Sequence, residues 1–149
     1  MYKQLIIMRK DLNMSHGKSM SQCCHASMAF LTNMIRENYS QWTSSDGDYY
    51  SAELTFDKDL YEQWINGSFT KIVCGARNKN QLLKAVTMAN ELGLQEGKDF
   101  FLIKDNCYTE LTPEETDENG VGRTLTCIGF TPLPNDVVEK ISKKYHLYI

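Results

Sequence analysis

Lys18, Gln22, His25 and Asp105 are the residues whose types and spacing point to chemistry in this chain. Lys18 follows Gly17, downstream of the apolar run Leu5-Ile6-Ile7-Met8, which reads as a buried strand. A glycine permits a sharp turn. Ser19 is read as the cap of a helix, its hydroxyl accepting from an amide of the first turn. Lys18 is then expected in a loop at the carboxyl end of a strand and beside a helix start, where open α/β sheets bind ligands and free amides favour anions. Gln22 and His25 follow four and seven residues later, on roughly the same side of that helix. Asp105 follows a second apolar run, Phe100–Ile103, and reaches the same rim if the two strands run parallel. A lysine and a carboxylate placed together can stabilise an oxyanion and orient or deprotonate water. Each residue also has a plainer reading on spacing alone: Lys18 as a solvated lysine, His25 as a supporting residue on an apolar helix, and Asp105 as a turn residue bonded to local amides. Cys23-Cys24-His25 does not read as a metal site, because adjacent helical residues diverge and no second ligand pair completes a tetrahedron. No serine or cysteine has the spacing of a covalent nucleophile.

The elements that must position these residues follow in order. Residues 3–9 form the first strand, 11–18 the loop and 19–38 a helix with an apolar side of Met20, Cys24, Ser27, Met28, Leu31, Met34 and Ile35. The stretch 39–68 has no clean period and is read as an ordered insertion. It holds a turn at 44–48, an extra strand near 49–56, and a short helix capped by Asp57 and stopped by Asn66-Gly67. Thr70–Ala76 is the second core strand. A helix capped by Asn78 or Asn80 follows and ends before Gly93. Phe100–Ile103 is the third strand and Arg123–Phe130 the fourth, with Thr124 and Thr126 on one of its sides. Asn135 or Asp136 opens the last helix, and the apolar end Leu147-Tyr148-Ile149 is expected to be tied down or to sit in a subunit contact. Strand–helix alternation predicts a three-layer α/β/α sandwich with a mixed, largely parallel sheet of about four strands. One domain is expected over residues 1–149, with the insertion at about 39–68.

The net charge of −3 argues against nonspecific coating of nucleic acid, and DNA is not an expected partner. The charge is uneven: Lys3, Arg9, Lys10, Lys18 and Arg36 face Asp11 alone among the first 36 residues. No apolar run approaches the length of a membrane span, and the N-terminal apolar stretch is too short for a secretory signal. Five irregularly spaced cysteines, with Cys24, Cys74 and Cys127 in apolar patterns, suit buried reduced thiols in a cytoplasm.

Gly17-Lys18-Ser-Met-Ser-Gln22-Cys-Cys-His25-Ala26 resembles the signature of the archaeal and eukaryotic type of peptidyl-tRNA hydrolase. The resemblance extends over Ile7–Met14, Lys71-Ile72-Val73, Leu92-Gly93-Leu94, Leu102–Asp105 with Thr109, Thr126–Asp136 and His146-Leu147-Tyr148, in the family's order. It implies hydrolysis of the ester joining a peptide to the 3′ end of tRNA, without a cofactor or a metal, by a cytoplasmic homodimer. It implies Lys18, Asp105 and His25 as catalytic residues, and Gly17, Gln22, Thr109 and Thr126 as substrate-binding ones. Asp105-Asn-Cys107-Tyr108-Thr109 departs from the family's Asp-Ala-Gly-Arg-Thr, with cysteine in place of glycine and tyrosine in place of arginine. Residues 39–68 and 114–121 are longer than the family's connections. A competing reading is therefore a module of the same fold that binds a tRNA end or a protein and has lost much of its hydrolysis.

Overall fold

The computed structural model describes residues Met1 to Ile149. Its centre is β1 (Tyr2–Arg9), buried from Gln4 onward. Leu5 and Ile7 point to one face of the sheet and Ile6 and Met8 to the other, so the run is apolar without alternation, as a strand covered on both sides must be. β1 runs into α1 (His16–Glu37). A separate two-stranded sheet follows, β2 (Tyr39–Ser44) and β3 (Gly47–Ala52). Asp57 caps the short α2 (Lys58–Leu60) by accepting from the Asp59 amide, and the chain continues through a wider π-helical stretch, Tyr61–Ser68. Then come β4 (Lys71–Ala76), α3 (Lys79–Glu91, capped by Asn78) and β5 (Phe100–Asp105). The last elements are β6 (Glu115–Thr116), β7 (Gly122–Phe130), β8 (Leu133–Pro134), α4 (Asn135–Ser142) and β9 (His146–Leu147).

The main sheet has the order β5-β7-β1-β4-β9, with β6 on β7 and β8 on β1. It has seven strands rather than about four, and β1–β4 is its one parallel pair, so the expectation of a largely parallel sheet is corrected. The reason is topological. β1, β4 and β5 all point the same way, as the helical crossovers between them require. β7 then returns between β5 and β1 as an antiparallel strand, and β9 closes the other edge antiparallel to β4. β1 and β5 therefore end on one rim although they are not neighbours.

α1 packs across β7, β5 and β1 on one face; α3 and α4 cover the other, where the larger core lies. Three details of α1 differ from expectation. It begins at His16 with Ser15 as its cap, a turn earlier than Ser19, which places Lys18 inside the first turn. The sharp reversal before it is made at Asn13, with φ of 49°, and not at Gly17. Its buried side is Ser19, Gln22, Ala26 and Phe30, whereas Met20, Cys24, Met28 and Ile35 are exposed. Small size decides this: a Cβ on Gly129 of β7 would meet the Ala26 carbonyl oxygen at 2.2 Å, so helix and strand touch backbone to backbone there.

The expected turn near 44–48 joins β2 to β3. β3 stops at Ala52, and its partner β2 is a polar strand without clean alternation. The C-terminus is tied down: β9 pairs with β4, the Tyr148 amide donates to Val73 O at 2.9 Å, and the Tyr148 hydroxyl lies 3.1 Å from Ser19 Oγ.

Candidate active site

The site lies where β1 and β5 end. Lys18 is held by the first turn of α1, where Ser15 Oγ accepts from the Lys18 amide at 3.2 Å. Asp105 closes β5, and a register shift between Ile103 and Lys104 sets it opposite Thr124 of β7. Such a bulge re-aims a side chain at a sheet's end. Lys18 Nζ donates to Asp105 Oδ1 at 2.8 Å, and the two side chains are only 14% and 11% exposed. Gln22 Nε2 donates to the same oxygen at 3.1 Å. The Thr126 hydroxyl, fully buried on β7, is 2.6 Å from Gln22 Oε1 and donates to it, which fixes the amide so that its nitrogen faces Asp105. The other carboxylate oxygen, Oδ2, accepts from the Cys107 amide at 2.9 Å. Thr109 Oγ1 takes a longer contact from Lys18 Nζ, at 3.4 Å.

Burial pushes the Asp105 carboxyl up, but the hydrogen bond from Lys18, the Cys107 amide, the charge of Lys18 and the Gln22 bond outweigh it and hold it below the ordinary carboxylate value. The carboxyl is thus ionised at neutral pH.

The loop after Asp105 is strapped down at both ends. Glu110 accepts from the Ser15 amide at 3.0 Å and from the Ser15 hydroxyl. Thr124 Oγ1 donates to Thr112 O at 2.7 Å and accepts from the Glu114 amide at 3.1 Å. Arg9, 3% exposed, binds Asp11 and Glu114 through paired bonds of 2.6 to 3.1 Å and donates to Leu125 O. The acidic segment after Pro113 therefore neutralises a buried arginine at the end of β1.

Lys18, Gln22, Asp105, Thr109 and Thr126 come together. Gly17 lies exposed in the first turn, with nothing within 4 Å of where a Cβ would stand, so the approach beside Lys18 is open. His25 is exposed on α1, about 10 Å along the axis from Lys18 at 1.5 Å per residue, and makes no bond to the network. Cys107 and Ser15 were not legible as site residues. The one acts through its backbone amide, and the other is the cap that the apolar pattern placed four residues too late. An apolar cavity of about 550 Å³ lies at the far end of β1, lined by Tyr2, Phe30, Phe101 and Leu133, and contains none of these residues.

A mixed α/β protein with a lysine–carboxylate pair on a sheet rim and no nucleophile–base arrangement is the class these features define. The family described as peptidyl-tRNA hydrolase PTH2 matches residues 2–148, and the chain belongs to it. It is 25% identical over 142 residues to a peptidyl-tRNA hydrolase of Saccharolobus islandicus strain L.S.2.15, covering 95% of each chain. It is 26% identical over 146 residues to a probable peptidyl-tRNA hydrolase 2 of Dictyostelium discoideum, covering 98% of this chain and 54% of that one. Among solved structures, a protein of unknown function from Agrobacterium tumefaciens strain C58 aligns over 99% of this chain and 98% of its own with a TM-score of 0.51 at 10% identity, a likeness of fold alone. The protein is accordingly an ester hydrolase acting on peptidyl-tRNA, and the reading as a binding module with weakened hydrolysis is not favoured. No helix is long and apolar enough to cross a membrane.

Proposed function

We propose that Lys18, Asp105, Gln22, Thr109 and Thr126 carry out this hydrolysis, with Asp105 handling the water and Lys18 the oxyanion. The supporting observation is the 2.8 Å pair between Lys18 and Asp105, nearly closed to solvent and locked by Gln22 and Thr126. A depressed carboxyl is a weak base while its ammonium partner is in place. When the ester carbonyl enters, Lys18 turns towards the carbonyl oxygen, Asp105 loses its strongest donor, and its basicity rises as the water is attacked. Water adds to the carbonyl carbon and gives its proton to Asp105. The tetrahedral oxyanion is held by Lys18, and its collapse expels the ribose oxygen, which takes the proton back. Thr109, exposed beside Lys18, is placed for a ribose hydroxyl, and open Gly17 for close approach of the tRNA end. His25 is assigned an outer, supporting role at the edge of the bound substrate.

The test is release of free tRNA from a peptidyl-tRNA. Lys18→Ala and Asp105→Asn, both folded, are expected to lose about 10²-fold or more in kcat, the scale of removing one oxyanion or proton-transfer group. A folded Asp105→Asn protein with near wild-type turnover overturns the assignment. We place the enzyme in the cytoplasm, consistent with its five unpaired thiols, and as a homodimer, for which the exposed Met20, Met28 and Ile35 of α1 offer surface.

A further inference from the structure

We infer that the tRNA leaves the active site over the β4–β9 side of the rim, with Lys10 holding one of its terminal phosphates; this rests on Lys18 and Asp105 being the reacting pair. Lys10 directly follows β1, and its amide donates to Ala76 O at the end of β4 at 2.8 Å. Its stem then lies across Gly75. A Cβ on that glycine would meet Lys10 Cδ at 2.7 Å and Cγ at 3.1 Å. Glycine inside a strand marks such a close approach. The face is the one that α1 covers, because Val73, two residues earlier, packs with Ile6 and Met8. His146 pairs with Gly75 from β9 and so stands on the same face. The Tyr148 ring lies 3.5 Å from the same Cβ position, and its hydroxyl is 3.1 Å from Ser19 Oγ, next to Lys18. One tyrosine ring thus spans the gap between the Lys10 stem and the first turn of α1.

The charge on this rim is one-sided. Beyond Asp105, residues 106–121 carry Glu110, Glu114, Glu115, Asp117 and Glu118 and no cation. The cations bordering them, Arg9, Lys104 and Arg123, are already held by Glu114, Glu115 and Asp117. On the other side, residues 69–78 and 143–148 carry no acid, and Arg77, Lys144 and His146 are exposed there. Lys10 is exposed as well and pairs with no carboxylate. In the strand order it lies between Asp105, at the end of β5, and the cations beside β4 and β9. A chain of phosphates is repelled by the first side and drawn to the second. The packed stem holds the Lys10 ammonium in place before the tRNA arrives, so less side-chain freedom is lost on binding.

The experiment measures kcat and KM for a peptidyl-tRNA over a series of salt concentrations in Lys10→Met, Gly75→Ala, Lys98→Met and Glu118→Gln, with Asp105→Asn alongside. Lys10→Met is expected to raise KM about three- to tenfold at low salt with kcat little changed, the mark of lost uniform binding. The slope of log KM against log salt falls by about 0.7–0.9, the share of one phosphate contact. Gly75→Ala keeps every charge but drives the Lys10 stem off β4, so KM rises in the same direction by a smaller factor, about two- to threefold. Lys98→Met removes the same charge at the opposite end of the sheet, beside Tyr2, and Glu118→Gln removes an acid across the rim; each is expected to change KM by less than about twofold. A wild-type KM in Lys10→Met or Gly75→Ala overturns the inference, as does an unmoved salt slope in Lys10→Met or an equal response from Lys98→Met. A Glu118→Gln protein whose KM falls as far as that of Lys10→Met rises puts the phosphates over the acidic loop and overturns it too. An active Asp105→Asn protein instead refutes the reacting pair; an inactive one beside an unchanged Lys10→Met refutes the tRNA path alone.

Discussion

Replacing Gly129 by alanine tests how closely the chemistry depends on the fit of α1 against β7. The added Cβ stands 2.2 Å from Ala26 O, 2.7 Å from its carbonyl carbon and 2.8 Å from its Cα, all backbone atoms that cannot swing aside. The shortest of these falls 0.8 Å below the 3.0 Å that real Cβ contacts respect, so the helix must retreat by at least that much. Gln22 lies one turn before Ala26 and moves with it. Its 2.6 Å bond to Thr126 then stretches to about 3.4 Å, past useful hydrogen-bond length, and the Gln22 amide loses the bond that aims it at Asp105, while the longer Lys18 side chain can follow its partner. Overpacking of this kind costs about 1–3 kcal/mol, and the weakened buried bond adds about 1 kcal/mol. For a chain of this size that lowers the melting temperature by roughly 5–15 °C. A displacement near 1 Å lowers turnover by about 10²-fold. Thermal melting and tRNA release, assayed well below the lower melting point, measure both. Gly17→Ala is the control: its Cβ meets open space in the first turn of α1, so stability is expected to hold or rise slightly. A Gly129→Ala protein that melts early yet hydrolyses at the wild-type rate refutes the claim that this packing sets the site's geometry.

Arg9→Met strands the carboxylates of Asp11 and Glu114, each about a third exposed and able to rehydrate, and is expected to lose about 2–3 kcal/mol by denaturant titration. Hydrogen bonds from Arg9 hold both carboxyls below their ordinary values of 3.8 and 4.5, so this stabilisation is full above those values and fades as pH falls through the lowered ones; the gap between wild type and Arg9→Met must narrow in acid. In a carboxyl ¹³C titration Asp105 is expected below 3.8 in wild type and to rise in Lys18→Ala, because burial remains while its main counterweight is gone. His25→Ala is expected to change kcat by less than about tenfold, and a larger loss would return the imidazole to the chemistry. Replacing residues 40–51 by a short Gly-Ser turn is expected to leave melting and turnover nearly unchanged, since β2 and β3 form a sheet of their own whose side chains face solvent.

Lys18 and Asp105 were legible because each follows an apolar run, and the ends of buried strands are where an α/β sheet presents its ligating groups. The neighbours of those strands were not legible. Chain order shows β1, β4 and β5 joined by helices, which fixes their common direction. It does not show that β7, last of the long strands, is inserted between β5 and β1 and turns most pairings antiparallel. The prediction that the two strand ends share a rim survives because direction, not adjacency, decides it.

The helix gives the more general argument. Periodicity favoured Met20, Cys24, Met28 and Ile35 as the inner side of α1, and these residues face out. The side turned inward carries Ser19, Gln22 and Ala26, which apolar periodicity reads as indifferent. Two requirements select it. Backbone contact with Gly129 needs a residue no larger than Ala26, and Asp105 needs an amide donor that is itself fixed, which only a buried Gln22 bonded to Thr126 supplies. A Leu at position 22 would add apolar burial and remove both bonds. The fold therefore accepts a polar stripe under α1 because the bonds along it are complete, and that completeness is what holds the Asp105 carboxylate in one orientation before any substrate arrives.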